Sequence, residues 1–111
     1  MIDSYSFGNI IVDGKSFDHD LIILPGRTID WWREEGHTCA LIDLEAIKEE
    51  KFDVLIIGTG HSGLMKVLPE VSDFFKKKGV KVIAKDTKSA TEEYNRLSKE
   101  KKVVGAFHLT C

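Results

Sequence analysis

Apolar residues follow two different patterns along this chain. Up to about residue 40 they form short runs broken by turn residues. Ile10, Ile11 and Val12 lead into Asp13-Gly14, a dipeptide suited to a two-residue hairpin turn. The pattern predicts a second strand returning through Phe17 to Leu24, stopped by Pro25-Gly26. Ile29-Asp30-Trp31-Trp32-Arg33 reads as extended. Adjacent tryptophans on a strand face opposite sides, so one is expected in the core and the other as a lid or a partly exposed contact. Asp43 is placed to cap a short helix running to about Glu50, with Leu44 and Ile47 facing inward.

From Asp53 the pattern changes. Val54-Leu55-Ile56-Ile57 is apolar without alternation, as in a strand covered on both faces. A glycine-rich loop follows, Gly58 to Gly63. Pro69 suits the first turn of a helix whose inward stripe is Val71, Phe74 and Phe75. Lys76 to Lys78 complement the C-terminal dipole of that helix, and Gly79 ends it. Val80 to Ala84 is the next strand. Asp86 or Thr87 can cap a second helix with the stripe Ala90, Tyr94 and Leu97. Val103 to Phe107 closes the series. The fold class expected is α/β, in three layers around a mixed central sheet. The C-terminal half is a parallel β-α-β-α-β unit, and the N-terminal hairpin adds an antiparallel portion. Residues 1–111 read as one domain.

Composition narrows the classes of function. Of the 111 residues, 42% are hydrophobic, enough for an ordinary core. Charged residues make up 31%, with both signs interspersed, and the net charge of −2 argues against a nucleic-acid binder. The two cysteines, Cys39 and Cys111, are too few for a disulfide framework and fit a reducing compartment. The first residues show no signal-peptide pattern, and the apolar runs are too short to span a bilayer. A cytoplasmic location is expected.

The pattern Gly58-Thr59-Gly60-His61-Ser62-Gly63 matches G-x-G-x-x-G after a strand, with Asp86 beyond the next strand where a dinucleotide fold keeps its ribose acid. Pro69, however, puts the helix start several residues too late, and no cofactor is expected. Geometry offers a better candidate. In parallel sheets, ligands bind beyond the carboxyl ends of the strands. Here those ends carry Gly58, Thr59, Gly60 and His61, then Asp86 and Thr87, then His108. His61, Thr87 and His108 are expected to line a shallow polar pocket, with free N–H groups at the Thr87 helix start facing an anion. The alternative is that Asp86 and Thr87 only cap the helix. His37-Thr38-Cys39 with His108 to Cys111 supplies two imidazoles and two thiols. That spacing is unlike a zinc knuckle, and no metal is expected. Cys39 near His37 reads as a buried thiol rather than a nucleophile. Trp31, Trp32 and Arg33 form a candidate partner-contact patch, since Trp and Arg are favoured where partners bind most tightly.

Several stretches together carry a family resemblance. They are Val12-Asp13-Gly14, Leu24-Pro25, Trp31-Trp32, Asp53-Val54-Leu55-Ile56-Ile57-Gly58-Thr59-Gly60, Leu68-Pro69-Glu70, the run Asp86 to Leu97 with Glu100, and Val103-Val104-Gly105-Ala106. In order and spacing they resemble the family that contains the eukaryotic adipogenesis-associated Mth-domain-containing protein and a mitochondrial assembly factor of respiratory complex I. The resemblance covers nearly the whole chain and implies a small three-layer domain with a mixed sheet. It brings no agreed catalytic residues. The loop His61 to Lys66 departs from the more basic stretch common in relatives. The function expected first is a non-enzymatic protein-binding or assembly-type module. The second is a small-molecule or anion-binding protein using the strand-end pocket. A protein partner is expected, a second copy of the chain included; nucleic acid and a membrane span are not.

Overall fold

The computed structural model describes residues 1–111. Its centre is a five-stranded sheet of β4 (Leu21–Leu24), β5 (Arg27–Asp30), β7 (Val54–Thr59), β9 (Lys81–Lys85) and β10 (Val103–His108), in the order β5-β4-β10-β7-β9. β10, β7 and β9 are mutually parallel, and β4 and β5 are antiparallel additions. β7 and β10 are buried along their whole length because the sheet is covered on both faces.

Alternation assigns each face. Ile22, Leu24, Leu55, Ile57, Val104 and Ala106 point to one side. There they pack with Val71 and Phe75 of α1 (Pro69–Lys77) and with Leu44 and Ile47 of a 3₁₀ helix (Leu41–Ile47). Leu21, Ile23, Val54, Ile56, Val103 and Phe107 point to the other side, against Ala90 and Tyr94 of α2 (Thr87–Leu97). Ile2, Ile10 and Val12 complete that layer. They come from a separate antiparallel sheet of β1 (Ile2–Ser6), β2 (Asn9–Val12) and β3 (Lys15–Phe17). The architecture is thus the expected three-layer α/β arrangement. α1 leads from β7 to β9, whereas α2 leads back past β7 to β10, so right-handed crossovers put the two helices on opposite faces.

Three local expectations are corrected. The predicted second strand from Phe17 to Leu24 is two strands in different sheets. β3 closes the Asp13-Gly14 turn, whose residues have φ of 48° and 79°, and the chain then breaks at residues 18–20 before β4. The break is where Asp20 turns inward. The short helix starts at Leu41 rather than after Asp43, because the Asp43 carboxylate reaches back to the Ala40 N–H at 2.8 Å. The extended Trp31-Trp32-Arg33 segment lies beyond the end of β5. A parallel pair, β6 (Thr38–Cys39) with β8 (Lys66–Val67), bridges two loops without any signal in the sequence. No helix is long and apolar enough to cross a membrane.

Candidate functional site

Register places every candidate at one end of the molecule. Asp30, Leu21, Phe107, Gly58 and Lys85 form one row across the sheet, from β5 through β4, β10 and β7 to β9. Just past that row lie Trp31 to Arg33, Asp20, His108, Thr59 to His61, and Asp86 with Thr87. The carboxyl ends of the parallel strands thus share a rim with the end of β5, which runs the same way.

The groups on that rim are largely committed to one another. The Thr87 side chain is fully buried. Its hydroxyl donates to the His108 carbonyl at 2.5 Å and accepts the Gly60 N–H at 2.9 Å. The Thr87 N–H donates to the Gly60 carbonyl at 3.0 Å. Asp86 accepts the Ser89 N–H, which holds its carboxyl below the ordinary carboxylate value, and the Ala90 N–H goes to the Asp86 carbonyl. The Thr87, Ser89 and Ala90 N–H groups at this helix start therefore have partners inside the chain, and Thr87 acts as a tie between α2, β7 and β10. Thr59 Oγ1 donates to the Lys85 carbonyl at 3.0 Å. Gly60 has φ of 109°, and a Cβ there would lie 2.6 Å from the Thr110 carbonyl oxygen, so glycine is required where the C-terminal residues cross the loop. Gly58 lets Thr87 and Phe107 approach. No helix opens within Gly58 to Gly63; β8 intervenes and α1 begins at Pro69. That is not how a dinucleotide loop is built.

His108 is buried and faces inward. Its Nδ1 lies 2.7 Å from Asp20 Oδ2, and the same oxygen accepts from Arg33 Nη1 at 2.8 Å. The carboxylate can only accept, so the ring proton is assigned to Nδ1. Asp20 Oδ1 takes the Leu109 N–H at 2.8 Å, and Arg33 Nη2 reaches the Gly36 carbonyl at 3.1 Å. Burial alone pushes the Asp20 pKa up, but the donors His108, Leu109 and Arg33 outweigh it and hold the carboxyl below its usual value. His108 Nε2 and Arg33 Nε have no hydrogen-bond partner in the protein. The sequence reading did not single out Asp20. An acid just before an apolar strand looks like an ordinary loop residue.

The contact patch is corrected in the same way. Arg33, with a side chain only 5% exposed, is an internal cation stacked 4.6 Å from the Trp31 ring centroid. Trp31 is buried and donates its indole N–H to the Asp43 carbonyl at 2.9 Å. Trp32 alone is presented to solvent, at 79% exposure.

Exposed apolar and aromatic side chains also stand on the rim, beside exposed charged ones. His61 is exposed, 5.5 Å edge-on from the Phe7 ring and beside Tyr5. Tyr5 donates to the Leu109 carbonyl at 2.8 Å; burial and then the Asp20 and Asp86 carboxylates push its phenol pKa up. Phe7 and Leu64, both exposed, were not foreseen as contact residues. Phe7 is held at the rim by the Gly8 N–H to Leu109 carbonyl bond, and Leu64 by its neighbour Met65, whose N–H bonds the Thr59 carbonyl.

None of the surface concavities is lined by Gly58, His61, Thr87 or His108. The largest, about 540 Å³, lies at the opposite end among Glu50 to Asp53, Lys78, Val80 and Lys102. Cys39 is fully buried, and burial pushes its thiol up to about 12, whereas Cys111 is exposed. The two His/Cys pairs do not gather into a group of three or more metal-ligating side chains.

A family model described as a protein of unknown function (DUF498/DUF598) matches residues 2–108. The chain is 28% identical over 108 residues to the NADH dehydrogenase [ubiquinone] 1 alpha subcomplex assembly factor 3 of Mus musculus, covering 95% of this chain and 57% of that protein. The Danio rerio protein of the same name is likewise 28% identical over 108 residues, covering 96% and 62%. The chain thus spans about three fifths of the length of these curated relatives. Among solved structures, a conserved hypothetical protein from Pyrococcus horikoshii is 34% identical with a TM-score of 0.91, covering 100% of this chain and 99% of that one. A Mth938-like domain of a Bordetella pertussis protein, 24% identical, shares the fold with a TM-score of 0.75, covering 98% and 85%. The resemblance carried by the order of the sequence motifs is borne out.

Proposed function

The chain belongs to the DUF498/DUF598 family of proteins of unknown function, and on that premise we propose that it works as a protein-binding, assembly-type module docking through the carboxyl rim of its sheet. One observation carries this reading. Of the five large hydrophobic side chains left exposed, three, Phe7, Trp32 and Leu64, sit on three separate loops of that one rim. Exposed aromatics held on a rigid scaffold are suited to partner contact, whereas a small-molecule site calls for concavity with convergent open polar groups. Here Thr87, His108 and Asp20 are tied up within the chain, while Phe7, Trp32 and Leu64 face outward. The kinship with proteins named as assembly factors points the same way, by analogy of family rather than of site.

The test is native affinity purification from the producing cell, with quantitative mass spectrometry of what co-purifies. Three baits are compared: the wild type, the triple variant Phe7→Ser, Trp32→Ser, Leu64→Ser, and the opposite-end variant Lys77→Glu, Lys78→Glu. A specific partner should be retained by the first and third and fall about tenfold or more with the triple variant. Equal recovery on all three baits, or a bound metabolite in place of a protein, overturns the reading.

A further inference from the structure

We infer that the partner segment received around Trp32 is basic, with a Lys or Arg side chain laid over the exposed indole. This rests on the docking reading above and adds the chemistry of what docks.

Trp32 stands among acids that have little to neutralise them. Asp30, Glu34 and Glu35 are all exposed. Asp30 faces only His19, 3.6 Å away, and neither glutamate lies within ion-pairing distance of a cation. The one arginine in the segment, Arg33, is turned inward and spent on Asp20 at 2.8 Å, so it offers the surface no positive charge. The Asp43 carboxylate accepts the Glu34 N–H at 3.2 Å and so ties this segment to the 3₁₀ helix. The surface is therefore an exposed indole flanked along the chain by exposed carboxylates without a lysine or arginine partner.

An acidic or neutral segment would leave those carboxylates repelled or desolvated without a partner, whereas a basic one neutralises them. The chain already shows the stacking chemistry one residue away, where the Arg33 guanidinium lies 4.6 Å from the Trp31 ring centroid.

The experiment uses the full chain and three short synthetic peptides of one length: a Lys/Arg–Leu amphipathic peptide, its counterpart with Glu at each basic position, and a neutral Gly/Ser peptide. Binding is measured by calorimetry and mapped by amide chemical shifts. The basic peptide should bind with shifts centred on residues 30–35, weakening about tenfold or more between about 50 and 300 mM salt. Trp32→Ala, at a position too exposed to matter for folding, should weaken it about fivefold, and Glu34→Gln with Glu35→Gln about threefold. Equal binding of the acidic or neutral peptide overturns the inference. So do shifts centred elsewhere, indifference to Trp32→Ala, or self-association of the chain through this patch. Failure of the docking reading looks different. If affinity purification finds a Trp32-dependent partner whose contacting segment is acidic or uncharged, only the present inference falls; if it finds no such partner, both fall.

Discussion

Asp20 holds three segments together with one carboxylate: the start of β4 on which it sits, Arg33 beyond β5, and His108 with Leu109 at the end of β10. Its pKa is depressed in the folded state, so the stability it supplies is complete above the ordinary carboxylate value and is lost as pH falls through the folded one. Asp86 acts with the same sign. Thermal unfolding followed from pH 7 downward should therefore show Tm falling most steeply below about pH 4, and Asp20→Asn should flatten that fall. At neutral pH the same variant leaves Arg33 buried without its counterion and should cost about 3–5 kcal/mol in chemical denaturation. The two tryptophans separate cleanly. Trp31→Ala should lose about 3–5 kcal/mol, while Trp32→Ala should shift stability by about 0.5 kcal/mol or less. The thiols separate likewise: a thiol reagent on the native protein should modify Cys111 quickly and reach Cys39 only on unfolding, because Cys39 is buried with its pKa at about 12.

Among elements, Thr87 is the joint that closes the rim. Thr87→Val removes the acceptor of the Gly60 N–H and the donor to the His108 carbonyl together, and should cost about 1–3 kcal/mol, while Thr87→Ser should recover most of it. The capping role of Asp86 and the helix start at Pro69 were legible in the residues themselves, because caps, prolines and apolar stripes act over a few positions. The unbroken apolar run at Val54 to Ile57 was legible as a doubly covered strand for the same reason. The break between β3 and β4 was not. Asp20 turns inward there to meet groups 13 and 88 residues away, and no local pattern announces such a meeting. The pairing of β6 with β8 escaped notice because two-residue strands have no periodicity. At the rim, sequence order placed the residues correctly but not their side chains. Thr87 and His108 looked available because their partners are brought to them only by the sheet register.

At the scale of the whole molecule, the parallel arrangement of β9, β7 and β10 gives the chain two unlike ends. One gathers the helix C-termini; the other gathers the strand ends, the Asp20 cluster and the exposed Phe7, Trp32 and Leu64. The central claim is that the second end is where another protein sits. Site-specific photo-cross-linking in the producing cell tests it most directly, with a photoreactive residue placed in turn at positions 7, 32, 64 and 77. The account predicts that positions 7, 32 and 64 capture one common protein and that position 77 does not. Capture of that protein from position 77 as readily, or no common product from the three rim positions, would contradict it.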